Sequence, residues 1–107
     1  LGAQSIVGYE APDNLTHVLL DNAIHESTGG QATVSRSVNF PAIAAASGYA
    51  SIQSEADPAE VGKLVAGPCK GPRFLHVPTL PGVPEGLPRP NLTPIEVAAR
   101  FREFLSD

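Results

Sequence analysis

The 107-residue sequence predicts an α/β domain, a parallel sheet with helices on both faces. Two observations carry this expectation. Short apolar runs of strand length alternate with segments that open on helix-capping residues. The first of those runs, THVLLD, is almost continuously apolar, as in a strand covered from both sides.

Each element has its own signal. Leu1, Ala3, Ile6 and Val7 suit the last turns of a helix ended near Gly8, and APDN (11–14) is a turn cluster. The first strand is THVLLD (16–21). Residues 22–37 are polar around Gly29-Gly30 and read as a long loop, a length that in a compact domain is usually functional or disordered. A helix follows, capped by Ser37 or Asn39, with Pro41 in its first turn and Gly48 past its end. Phe40, Ile43, Ala44 and Ala46 give it an apolar face. YASIQSE (49–55) alternates apolar and polar and reads as the second strand.

Asp57-Pro58-Ala59-Glu60 is a helix start in capping-box form, with Val61, Leu64 and Val65 as the buried stripe and Gly67 as the end. RFLHV (73–77) is the third strand. Eight of the eleven prolines fall in 68–94, so 78–92 is expected to be ordered but irregular. Thr93-Pro94-Ile95-Glu96 repeats the capping logic. The helix 94–106 is expected to bury Ile95, Val97, Ala98, Phe101, Phe104 and Leu105.

Composition narrows the function classes. The net charge is −4 and the seven Lys and Arg are scattered, so the basic footprint of a nucleic-acid binder is missing. No apolar run approaches the ~18 residues of a membrane span, and LGAQSIVG lacks the form of a secretory signal. A single cysteine, Cys69, forms no internal disulfide and no cysteine-based zinc cluster, and is read as structural. These features fit a cytoplasmic protein. The chain starts with Leu and contains no Met, which points to a cut or partial N-terminus.

In open parallel sheets ligands bind beyond the carboxyl ends of the strands, and the long loop leaves the first strand there. Chemistry is therefore expected in DNAIHESTGGQ (21–31). Asn22 offers a side-chain carbonyl oxygen, and nearby backbone carbonyls are freed where the strand ends. Such hard oxygen donors are what Mg²⁺ prefers. Ser27, Thr28 and the amides of Gly29 and Gly30 can donate to an anion at the same place. On the residues alone an Asp-Asn pair also serves as a turn cap, Gly-Gly as a turn and His25 as a surface histidine. His17 and His76 lie in apolar strands and read as hydrogen-bonded structural residues.

LLDNAIHESTGGQATVS resembles the second half of the thiamine-diphosphate fingerprint, in which Gly-Asp-Gly precedes an Asn-Asn or Asp-Asn pair by some 25–30 residues. Asp-Asn, His, an acidic residue and Ser-Thr-Gly-Gly-Gln together are similar to phosphonopyruvate decarboxylases, and GLPRPNLTPIEVAARF (86–101) resembles their C-terminal end. Related families are sulfopyruvate decarboxylases and 2-oxoacid:ferredoxin oxidoreductases, which tend to carry Tyr in place of His25.

The resemblance implies a thiamine-diphosphate-binding fold and roles for particular residues. Asn22 would bind Mg²⁺ through its side-chain oxygen and Ile24 through its main-chain carbonyl. Asp21 would brace the loop. Ser27, Thr28, Gly29 and Gly30 would shape it against the diphosphate. His25 would face the reacting end and handle protons. Arg36 and Arg73 are possible partners for a substrate phosphonate, because Arg makes bidentate contacts with such oxygens. The implied reaction is loss of CO₂ from phosphonopyruvate in a dimer or larger homo-oligomer.

No Gly-Asp-Gly exists in the chain, and only 20 residues precede Asp21. Residues 1–107 are thus expected to be the C-terminal part of a diphosphate-binding domain, with the carboxylate ligand of Mg²⁺ and the pyrimidine-binding domain lying in the remaining part of the enzyme. Alone, this part is expected neither to bind the coenzyme tightly nor to decarboxylate. A rival expectation of another class is a non-catalytic α/β scaffold module.

Overall fold

A computed structural model describes residues 12–106, so the helix expected over residues 1–10 lies outside the described residues. Three parallel strands form the sheet: β1 (Thr16–Asp21), β4 (Ser51–Ser54) and β5 (Arg73–Pro78), in the order β1-β5-β4. Thr16 and Ser51 both pair with Arg73, so the strands start level. Asp21 pairs with Pro78, and the chain therefore leaves β1 and β5 at the same carboxyl edge. The bounds of the first strand and the parallel α/β class are as the sequence predicts, but Val18 and Leu20 are exposed, so among the described residues β1 is not covered on both sides.

Alternation along the strands assigns the faces. His17, Leu19, Asp21, Ile52, Ser54, Phe74 and His76 share one face, by register. Helix α1 (Phe40–Ala46) covers it. Buried Ala44, Tyr49 and Phe74 form the core there, with Leu19, Phe40 and Ile52 packed against them. The Tyr49 and Phe74 rings meet edge to face at 5.3 Å, a favoured aromatic geometry. His17 Nδ1 and the Tyr49 hydroxyl lie 2.7 Å apart, so His17 is the hydrogen-bonded core histidine that an apolar strand implies.

Leu75, fully buried, and Val77 occupy the other face, where α2 (Pro58–Ala66) lies and where Val61 and Val77 line a common hollow. Helices thus stand on both faces.

Local chemistry sets the helix ends. The Asn39 side chain accepts from Ala42 N–H at 3.0 Å and caps α1. At its other end Gly48 N–H donates to the Ala45 carbonyl and Tyr49 N–H to the Ala44 carbonyl. This is a Schellman closure, and it delivers Tyr49 into the core against Ala44. Asp57 caps α2 by accepting from Ala59 and Glu60 N–H. Glu60 pairs with Lys63 instead of completing the expected box; Glu55 takes the Asp57 N–H.

Helix α3 (Pro94–Ser106) opens with a complete capping box. Glu96 accepts from the Thr93 backbone N–H and hydroxyl, and Thr93 accepts from Glu96 N–H. Those contacts, the backbone one foremost, hold the Glu96 carboxyl below its ordinary range.

The apolar side of α3 departs from expectation. Ile95, Val97, Phe101, Phe104 and Leu105 are half exposed or more, and Ala98 is exposed as well. A 3.6-residue period marks a face meant to be covered but does not supply the cover, and the described residues supply none. Ile43, Ala46 and Val65, also assigned to buried faces, are exposed for the same reason. No helix among the described residues is long and apolar enough to cross a membrane.

The close approach of two turns yields a test of the packing. Gly71 has φ +89°, and an added Cβ would stand 2.8 Å from the Ala50 Cβ. Gly71→Ala is expected to destabilise the fold by about 1–3 kcal/mol, the usual range for a strained backbone site. Urea denaturation of the natural-length protein reads this directly; an unchanged midpoint would contradict the packing.

Candidate functional site

The expected long loop is a compact structure at the carboxyl end of β1. After Asp21 the chain forms a hairpin of two-residue strands, β2 (Ile24–His25) and β3 (Gln31–Ala32), around the 3₁₀ turn Glu26–Thr28. A second 3₁₀ turn, Val34–Arg36, leads toward α1.

Two side chains build the turn out of β1. Asp21 Oδ1 accepts from Ala23 N–H at 3.0 Å, and Asn22 Oδ1 accepts from Ile24 N–H at 3.2 Å. Between them Ala23 sits at φ +60°, a left-handed conformation that a residue with a Cβ adopts at a cost of roughly 1–2 kcal/mol. The two side-chain bonds hold it there. Asp and Asn are suited to this because their short side chains reach a backbone amide two residues on.

Asp21 ties four segments together. Besides Ala23, it accepts a short hydrogen bond from the Ser35 hydroxyl, and its Oδ2 lies 3.1 Å from His76 Nε2. His76 Nδ1 in turn meets Ser54 Oγ at 3.3 Å, so a polar chain crosses all three strands at their carboxyl end. The Phe40 ring packs 5.8 Å from the His76 ring and excludes water from that side. The Ser35 hydrogen bond first, and then His76, hold the Asp21 carboxyl below the usual carboxylate range.

The Asn22 amide is held at both ends. Its Nδ2 donates to Glu26 Oε2 at 3.1 Å, and Glu26 Oε1 accepts from Gly82 N–H. The proline-rich run therefore returns to the loop across 56 residues of sequence.

Hairpin geometry fixes the Ile24 carbonyl. Thr33 N–H donates to the Ala23 carbonyl, so Ala23 and Thr33 form a hydrogen-bonded pair. Ile24 and Ala32, next along, are the non-hydrogen-bonded pair, whose N–H and C=O both point away from the partner strand. Ile24 N–H meets Asn22 Oδ1, which puts that oxygen and the Ile24 carbonyl on one outward edge. An amide oxygen has a second lone pair, so Asn22 retains a donor site.

The rest of 21–31 divides. Gly29 and Gly30 take φ +115° and +77°, which close the turn and bring Gly30 N–H onto the His25 carbonyl at 2.9 Å. The Thr28 hydroxyl donates to Gln31 Oε1, and Gln31 Nε2 to the Thr28 carbonyl, so Thr28 serves the turn itself. Ser27 is exposed. His25 is exposed too, on the face of the hairpin opposite Ile24.

Of the two arginines, Arg36 is exposed and follows Ser35 directly. Arg73 begins β5, five strand steps or about 16 Å from the edge at Pro78. Its Nη2 donates to the Gly67 and Pro68 carbonyls, and only 4% of the residue is exposed. The expectation that it meets substrate at the loop is therefore corrected: it is fixed at the opposite end of the sheet.

The donors present fit two oxygen ligands of a hard cation, Asn22 Oδ1 and the Ile24 carbonyl. Among the described residues no group of three His, Cys, Asp or Glu could hold a metal by itself. These two oxygens alone are a partial ligand set for a six-coordinate ion.

Residue-level reading missed Ser35, the Gly82 turn and the part played by Glu26. Nothing local signals them, because each acts over contacts that only folding creates. His76 carried a faint signal, a polar residue on the same strand face as Asp21.

Comparison with known proteins bears on what this loop serves. A phosphonopyruvate decarboxylase of Streptomyces viridochromogenes is 44% identical over 108 residues, covering 99% of this chain and 27% of that protein. A phosphonopyruvate decarboxylase of Streptomyces hygroscopicus is 43% identical over 109 residues, again covering 27% of its length. This chain is homologous to phosphonopyruvate decarboxylases. It spans about a quarter of the length of these decarboxylases. The sulfopyruvate decarboxylase beta subunit of Methanothermobacter thermautotrophicus is more distant, 34% identical over 101 residues and 52% of its length. No family model matches the chain.

The Asp21 node gives a pH-dependent expectation. A carboxylate whose folded pKa is lowered contributes stability above its ordinary pKa of about 3.9 and loses that contribution as pH falls through the folded value. Asp21→Ala is expected to cost about 1–3 kcal/mol at pH 7, the penalty for stranding its donors. Urea melts should show the gap to wild type narrowing below about pH 4. A gap of the same size at both pH values would mean that the carboxylate charge plays no part.

Proposed function

We propose that this chain forms the metal-side wall of the coenzyme site in a thiamine-diphosphate- and Mg²⁺-dependent decarboxylase, converting phosphonopyruvate to phosphonoacetaldehyde and CO₂. The observation that carries this reading is the shared outward edge of Asn22 Oδ1 and the Ile24 carbonyl, in a chain 43–44% identical to phosphonopyruvate decarboxylases.

Asn22 and Ile24 hold the cation, and the carboxylate ligand comes from the remaining part of the enzyme. Asp21 fixes the turn, so both oxygens are in place before the ion arrives, and little ordering is left for binding. Glu26 fixes which way the Asn22 amide points: with Nδ2 held by a carboxylate, the oxygen is turned outward. Gly29 and Gly30 keep the loop free of side chains where the diphosphate passes, with Ser27 and Thr28 flanking it. When bound, the coenzyme supplies the electron sink for the carbon–carbon bond that breaks as CO₂ leaves. His25, exposed on the other side of the hairpin, gives or takes a proton at an imidazole nitrogen. Arg36, exposed at the end of the second 3₁₀ turn, is the partner for the phosphonate. The working enzyme is a cytoplasmic homo-oligomer that contains the segments this chain lacks.

A second reading has one observation behind it, the 34% identity to a sulfopyruvate decarboxylase beta subunit. A sulfonate and a phosphonate on carbon 3 are both tetrahedral oxyanions that differ in the central atom and, when the phosphonate is fully ionised, by one charge, so the two readings differ in substrate and not in the loop.

Purified natural-length protein, with Mg²⁺ and thiamine diphosphate and no electron acceptor, is expected to release CO₂ from phosphonopyruvate at least tenfold faster than from sulfopyruvate. The reverse ratio would favour the sulfonate reading, and no CO₂ from either would reject both. In the same protein Asn22→Ala is expected to weaken Mg²⁺-dependent coenzyme binding at least tenfold, about 1.4 kcal/mol. Unchanged affinity in a Mg²⁺ titration would remove Asn22 from the metal.

A further inference from the structure

At the amino edge of the sheet, away from the loop, lies a hollow of about 240 Å³ between β4, α2 and the start of β5. Arg73, Lys63 and Lys70 line it together with Ser51, Gln53 and Cys69, and no carboxylate is among its lining residues. This is a concentration of charge against the trend of the chain. Seven cationic residues are scattered over a molecule of net charge −4, and three of them border this hollow.

Arg73 supplies the second observation. It is the one charged residue buried among those described, 4% exposed, and its guanidinium is only half used. Nη2 donates to the carbonyls of Gly67 and Pro68, while Nη1 is buried without a hydrogen-bond partner among the described residues. A buried cationic nitrogen left unpaired is costly, and native structures rarely keep one without an ion or water to satisfy it. The two bonds on Nη2 fix the guanidinium plane in the wall of the hollow, so an anion that reached Nη1 would meet a group already held in place.

The lysines are able to join it. Lys63 pairs with Glu60 at 2.6 Å, but this is an exposed pair, of the kind worth little and easily exchanged. Lys70 is exposed at the rim. The hydroxyl of Ser51 and the amide of Gln53 add neutral donors. The volume is below the ~300–1,000 Å³ of sites for larger ligands, so it suits a single small anion.

We infer that this hollow binds a small oxyanion, of the phosphate or carboxylate class, through Arg73, Lys63 and Lys70. The site is separate from the coenzyme loop by the length of the sheet and does not depend on the function proposed for that loop.

Titration of the natural-length protein with inorganic phosphate, at ionic strength held constant with chloride, tests this. Calorimetry is expected to show saturable binding. The Lys63→Ala/Lys70→Ala double variant, altered only at exposed side chains, should keep its thermal transition and bind phosphate at least tenfold more weakly. Arg73→Gln should lose phosphate binding; should it fail to fold, the double variant decides alone. No saturable binding would overturn the inference and leave Nη1 to water or to a carboxylate from elsewhere in the polypeptide. Equal affinity in wild type and double variant would overturn it too, by placing the phosphate at another site.

Discussion

The Asp21 carboxylate is the contact on which the carboxyl edge of this molecule depends. It ends one strand, caps the turn that follows, takes the Ser35 hydroxyl from the second 3₁₀ turn and takes His76 from the neighbouring strand. A hydrogen-bonded carboxylate of this kind is worth most where water is scarce, and both Asp21 and His76 are largely shielded. It is the side chain that joins the turn out of β1 to both Ser35 and His76. The same contact holds Ala23 in a conformation it would otherwise avoid.

Rigidity here would serve the proposed cation site. A loop presenting a side-chain oxygen and a backbone carbonyl to Mg²⁺ would work only if both stayed put, because that ion tolerates little departure from octahedral geometry. Asp21 below and Glu26 beside Asn22 provide that, one through the backbone and one through the amide. Glu26 also fastens the Gly82 turn, so the irregular proline-rich run gains a fixed point that no regular ladder gives it. The two ends of the sheet then carry opposite chemistry: oxygen donors and carboxylates at the carboxyl edge, clustered cations at the amino edge.

Apolar surface is left open on β1 and α3. Leu20 on β1 and Phe101, Phe104 and Leu105 on α3 are each more than 60% exposed, while few apolar side chains are fully buried. Exposed apolar area on this scale is uncommon on a finished monomer and is ordinary on a surface that meets another part of a protein. The relatives, of which this chain spans about a quarter, are long enough to supply such a part.

Most of the local structure was legible from the residues. Asn39, Asp57 and Thr93 announce helix starts by side-chain chemistry that works within four residues, and all three cap as that chemistry requires. The strand-length apolar runs gave the parallel sheet, and the Asp-Asn turn at the end of the first one gave the place of the candidate site. Those signals are local, so sequence carries them. The partners of Asp21 and Glu26, the orphaned nitrogen of Arg73 and the open face of α3 were decided by tertiary structure alone. Each depends on residues tens of positions apart meeting, or failing to meet, and a periodic pattern records that a side chain wants company without recording which company it finds.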